Sequence, residues 1–198
     1  LYAIQFMDKI TTGSAAVMGL VSDLNMDGTQ YSWVGSAFYF GYLGGLFVLL
    51  PLMQRTKYLM KAVSAITVLW GMILALHSVP SINYASFVFL RFLLGFLESA
   101  ITPAFTIVTA QYWKKEEQFL RICIWFGFNG FVGIWGCALA YDLFIRQGTY
   151  TIEAWKIVFI VTGCITFFVG VLMAIHLPDS PEKAWFLSRK EKLMVVQR

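Results

Sequence analysis

The apolar positions of this chain gather into long runs separated by short polar breaks. Six runs, near residues 1 to 20, 31 to 53, 58 to 77, 84 to 110, 119 to 141 and 155 to 177, are each long enough to cross a hydrocarbon core about 30 Å thick, which takes roughly 20 helical residues. Strands that cross a bilayer need only about 10 residues and alternate strictly, whereas a helix satisfies all its backbone hydrogen bonds within one segment. The pattern predicts an all-α polytopic membrane protein, a six-helix transmembrane bundle over residues 1 to 177.

The ends of the chain carry separate signals. After the sixth run, "LPDSPEKAWFLSRKEKLMVVQR" has Pro178 to end the span and Ser180 to cap a new helix with Pro181 in its first turn. Basic residues then mix with Trp185, Phe186, Leu187 and Leu193. That mixture predicts the start of a cytoplasmic amphipathic linker helix over 178 to 198; a linker to a following domain is the alternative. At the other end the chain opens inside an apolar run, "LYAIQFMDKI", without a charged leader or a cleavage site. It reads as a fragment that starts within an element.

Composition supports the bilayer. The chain is 59% hydrophobic and 13% charged, with a mean hydropathy of +0.69, where a soluble domain carries about a quarter charged residues. Its net charge of +4 does not imply nucleic acid, because no basic stripe with interleaved aromatics accompanies it. Positive charge instead clusters in alternate connections. Arg55, Lys57 and Lys61 follow the second span, Lys114, Lys115 and Arg121 the fourth, and Lys183, Arg189, Lys190, Lys192 and Arg198 the sixth. The opposite side has Arg146 and Lys156, with Asp23 and Asp27 in its first loop. The positive-inside rule then places both ends of the six-helix unit in the cytoplasm. Cys123, Cys137 and Cys164 lie in apolar runs without metal-ligand spacing, and read as packing residues.

Four charges stand well inside the spans, away from their ends: Asp8 and Lys9 in the first, Arg91 and Glu98 in the fourth. An ionised side chain at mid-bilayer costs roughly 2.5 to 3.5 kcal/mol on insertion scales, so such groups face a bundle interior or a watery cavity. Arg91 and Glu98 are two turns apart, about 10 Å along the axis, which is too far for them to pair with each other. Asp8 and Lys9 are adjacent and point about 100° apart, so at most one is expected to aim straight at the fourth span. Two readings follow. The four charges line one polar cavity between the first and fourth spans, where cations attract an anion and a carboxylate carries a proton; or Asp8 and Arg91 form a structural ion pair that only pins two helices together.

Other polar positions are weaker signals. Asn129 is placed to bond a substrate or a neighbouring helix, and Tyr39 to face the cavity or, like Tyr42, to pack. Gly127, Gly130, Gly133 and Gly136, and the pair Gly41 and Gly45, indicate close helix packing. His77 and His176 fall at span ends, where solvation or capping is the expected role, and Trp113 and Trp155 read as interfacial anchors. Phosphate-loop, zinc-protease and nucleophile-elbow motifs are absent from the sequence, as is any Cys/His ligand cluster. Neither an enzyme nor a bound metal or cofactor is expected.

Several segments together resemble a known family. "QFMDKITTGSAAVMGLVSDLNMDGTQYSWVGSAFYFGYLGG", "RFLLGFLESAITPAF", "YWKKEEQFLR" followed by "WFGFNG", and "LPDSPEKAWFL" resemble the fungal allantoate permease-like branch of the anion:cation symporter family, within the major facilitator superfamily. The resemblance implies a twelve-helix transporter of two six-helix halves, this chain covering the first, with substrate held near the membrane midplane and access alternated by rocking one half on the other. It further implies that Asp8 and Glu98 couple protons and that Arg91 engages a substrate carboxylate or holds a carboxylate partner. Many members carry Arg where Lys9 stands; lysine keeps the charge without the bidentate fork. The loop in "LLPLMQRTKYLMKA" is shorter than the family's usual glycine-containing connection and lacks its acidic gating residue.

The function expected is proton-coupled symport of a small organic anion, of the allantoate, ureido-acid, nicotinate or vitamin type, across a fungal plasma membrane. Its partners would be that anion, protons, the lipid bilayer and a second six-helix half. A facilitator or exchanger of another small solute, and a non-transporting receptor or scaffold, are the alternatives.

Overall fold

The structure, a computed structural model, describes residues 1–147, 149–178 and 185. Among these the regular elements are all helical. Helix α1 (Tyr2–Ala15) continues through one π-helical turn, Ala16–Leu20, and a last turn, Val21–Asp23. Within the π turn Gly19 takes φ 108°, a conformation that is cheap only without a Cβ. The expected first span is therefore a 14-residue α-helix followed by a wider turn.

Helix α2 (Gly28–Arg55) starts before the apolar run because Asp27 and Gln30 form a capping box, each satisfying a backbone N–H at the helix start. Helix α3 is Leu59–Leu76. The next span is broken into α4 (Tyr84–Glu98) and α5 (Ile101–Tyr112). Pro103 explains the break: it has no N–H for the Ser99 carbonyl, and its ring crowds that carbonyl. Helix α6 (Lys115–Ile145) opens with Glu116 and Glu117 at its positive dipole end, and α7 is Ala154–His176. Among the described residues five helices, with Tyr84–Tyr112 taken as one, are long and apolar enough to cross a membrane.

Helix α2 packs along α4, α3 along α7, and α1 against α6 and α7. Glycine sets the first two crossings. A Cβ on Gly41 would collide with the Phe92 carbonyl and one on Gly95 with the Phe38 carbonyl, while Gly71 and Gly163 bring α3 and α7 into backbone contact. In lipid, helix association rests on such close packing rather than on a hydrophobic force. Of the four glycines spaced by three on α6, Gly133 and Gly136 face Phe6, Met7 and Ile10 of α1, whereas Gly127 and Gly130 meet open space.

Helix α6 buries only Gly136, Ala140 and Leu143, and it exposes Phe119, Phe131, Ile134 and Trp135. An apolar surface of this kind belongs against lipid or another bundle.

Several expectations need correction. His77 is fully buried rather than solvated, edge-on to Phe87 at 4.9 Å and stacked on Phe159 at 5.2 Å. Trp155 is buried too, and it donates its indole N–H to Asp23 at 2.6 Å instead of anchoring in the interface. The three cysteines are free and exposed on the bundle exterior rather than packed within it. The expected linker helix falls outside the described residues apart from Pro178 and Trp185; Trp185 donates to the His176 carbonyl at 3.1 Å.

Candidate functional site

The embedded charges meet between α1 and the span made of α4 and α5. Arg91 Nη1 lies 3.9 Å from Asp8 Oδ1, with the side chains 3% and 1% exposed. Lys9 Nζ lies 3.4 Å from Glu98 Oε1, with the lysine 42% exposed and the acid sealed. Both neighbours on α1 thus pair with the fourth span, although only Asp8 aims straight at it. The physical reason is reach. Asp8 faces Arg91 directly, while the four-carbon stem of Lys9 swings to a partner displaced by two helical turns.

Each partner has further contacts. Trp70 Nε1 donates to Asp8 Oδ2 at 3.3 Å. The Arg91 guanidinium lies 5.4 Å from the Phe87 ring centre and 5.0 Å from that of Phe159. Its Nε and Nη2 are buried without a hydrogen-bond partner among the described residues. Gln5 accepts from Thr102 at 3.5 Å, which ties α1 to the start of α5 next to Glu98.

A cavity of about 260 Å³ opens beside these pairs. Asp8, Lys9, Thr12 and Gly13 form its α1 wall, Arg91 its α4 wall, and Tyr31, Gly35, Phe38 and Tyr39 of α2 the third. Tyr39 is 66% exposed. The expected four-charge lining is thus corrected to three: Glu98 stands off the cavity and is linked to it through Lys9. Asn129 lies outside it as well, on α6 near Tyr2, with a buried Oδ1 that has no hydrogen-bond partner among the described residues.

Sequence reasoning missed Trp70, Gln5 and the ring pair Phe87 and Phe159. One signal was legible: Trp70 stands inside a span, far from the interface that tryptophan favours, so its N–H needed a polar partner. Nothing in the spacing of the two phenylalanines marked them.

A helical integral membrane bundle with a charge-lined cavity is the class of protein defined here. The Major Facilitator Superfamily profile matches residues 1–196, and the chain belongs to that family. Among its relatives is the allantoate permease of Saccharomyces cerevisiae, 57% identical over 199 residues, which cover 100% of this chain and 37% of the permease. An uncharacterised transporter of Schizosaccharomyces pombe is 45% identical over 99% of this chain and 39% of its own length. A thiamine pathway transporter of Saccharomyces cerevisiae is 33% identical over 99% of this chain and 36% of its own length. The chain therefore spans little more than a third of the length of the relatives it matches.

Proposed function

We propose that the chain forms one half of an alternating-access carrier that brings a small carboxylated anion, of the allantoate or ureido-acid type, into the cell together with protons. The observation that carries this reading is the sealed Asp8 and Arg91 pair on the wall of a cavity that also presents Lys9. A buried charge stripped of its counter-ion costs several kcal/mol, so Arg91 requires a negative partner at every stage. A proton on Asp8 cancels that partner, and an entering carboxylate replaces it. Anion and proton thereby become mutually dependent. Glu98 and Lys9 repeat the arrangement two turns away and supply a second exchangeable charge. The 57% identity to an allantoate permease supports the choice of anion. A second six-helix half would close the cavity; the distribution of Lys and Arg supports both bundle ends being cytoplasmic, and the resemblance to fungal permeases supports the plasma membrane as the location.

The test is uptake of labelled allantoate into liposomes holding the whole gene product that carries this chain. The expected result is accumulation driven by an inward proton gradient, abolished by a protonophore and lost in Asp8→Asn and Glu98→Gln. Equilibration without accumulation, indifferent to the gradient and to both substitutions, would make the protein a facilitator with structural charges.

A further inference from the structure

Arg91 does not simply hang from its carboxylate. Its Nη1 side is turned to Asp8 at 3.9 Å, while its central carbon, Cζ, lies over the rings of Phe87 and Phe159, 5.4 and 5.0 Å from their centres. Those rings are themselves fixed: both are fully buried, 6.1 Å apart in an edge arrangement, and the His77 ring lies parallel on Phe159 at 5.2 Å with an interplanar angle of 18°. His77 is held in turn by a 2.8 Å contact from Nδ1 to the Ile73 carbonyl. Three spans thus contribute one ring each to a cluster beside the cation, with His77 stacked on Phe159 and Phe87 edge-on to both.

The geometry assigns Phe159, with Phe87, as a positioning residue for the Arg91 guanidinium: the rings hold the cation so that Nη1 serves Asp8 while the Nε and Nη2 edge is left for the carboxylate of the transported anion. Both nitrogens are buried, lack a hydrogen-bond partner among the described residues and belong to a residue that lines the cavity. Nε and Nη2 are one of the two parallel donor pairs by which a guanidinium grips a carboxylate in a bidentate fork. A cation within about 6 Å of an aromatic centre is attracted by the ring quadrupole, most strongly where water is excluded. Withdrawing electrons from the ring weakens that hold with little change in shape. The inference rests on the proposed transport of a carboxylated anion for its ligand, and on the ring cluster alone for its geometry.

The experiment replaces Phe159 in the whole gene product with mono-, di- and trifluorophenylalanine, which preserves the packing that Phe159→Leu would lose. Labelled allantoate uptake is expected to show a KM that climbs stepwise with fluorine number, reaching roughly tenfold, with the maximal rate within about twofold. In the same proteins, labelled with 15N-arginine, exchange of the Arg91 Nε–H is expected to quicken along the series. A flat KM with a falling maximal rate, or an unchanged Nε–H exchange rate, overturns the positioning role. Absence of allantoate uptake by the unsubstituted protein refutes the transport reading instead, and the Nε–H exchange series then decides the positioning role by itself.

Discussion

Trp70 on α3 donates its indole N–H to Oδ2 of Asp8 on α1 across 3.3 Å, with both residues sealed inside the bundle. A lone donor aimed at a buried carboxylate is worth more than one at the surface, because no water replaces it. Hydrogen bonds to charged groups contribute about 1.5 to 3 kcal/mol. Trp70→Phe keeps an aromatic ring and removes the donor. The expected outcome is a loss of that order in unfolding free energy in detergent, with allantoate uptake reduced. Unchanged stability would mean that Asp8 does not depend on Trp70.

The Asp8 and Arg91 pair predicts a non-additive cycle. Asp8→Asn leaves a guanidinium buried against two aromatic rings with no counter-charge, which is expected to cost about 3 to 5 kcal/mol and to lower the yield of folded protein. Adding Arg91→Met removes the stranded cation and should restore much of that yield. Uptake should stay absent in both. Size-exclusion profiles of the purified variants check the first point and labelled uptake the second.

The helix crossings make a contrast between glycines. Gly95→Ala places a Cβ against the Phe38 carbonyl, a backbone atom that cannot rotate away, so α2 and α4 must separate. Folded yield and thermal midpoint should fall. Gly130→Ala adds a methyl where no atom lies within 4 Å, and removing a helix glycine is worth roughly 0.5 to 1 kcal/mol in its favour. Its midpoint should hold or rise.

Outside the membrane, Glu153 at the start of α7 accepts from Lys156 at 2.8 Å. That hydrogen bond holds its carboxyl below the usual glutamate range. A carboxyl held low in the folded state contributes stability above its unfolded value, and the contribution is lost as pH falls through the folded value. The thermal midpoint of the wild type should therefore drop toward that of Glu153→Gln as pH falls below about 4.3. Glu153 is half exposed, so the difference at neutral pH is expected to be no more than about 1 kcal/mol. A constant gap between the two proteins at all pH values would contradict the assignment.

Fold class and the location of charge were legible along the chain. Apolar runs of membrane length admit only the helix, because a backbone in hydrocarbon must bond to itself. Asp8, Lys9, Arg91 and Glu98 stood out for the same reason, since ions in such runs need company. The break at Ser99 and Ala100 was not expected, since 84 to 110 read as one run, although Pro103, three residues past Ala100, carries its signal. The partners were another matter. The angle between Asp8 and Lys9 left only one of them aimed straight at the fourth span, yet side-chain length also gave Lys9 to Glu98 at 3.4 Å.

The linear order of residues by itself determined that this is a helical membrane protein with four stranded charges to be explained. Only the tertiary structure decided which groups met: Trp70 with Asp8, Phe159 with Arg91, His77 in the core rather than at the interface, and Glu98 behind the cavity rather than on its wall. Solvent preference is a property of each residue and its near neighbours, so it survives in one dimension. Contact across helices depends on how each rod is turned and how closely glycines let it approach, and those quantities exist only once all the rods have packed.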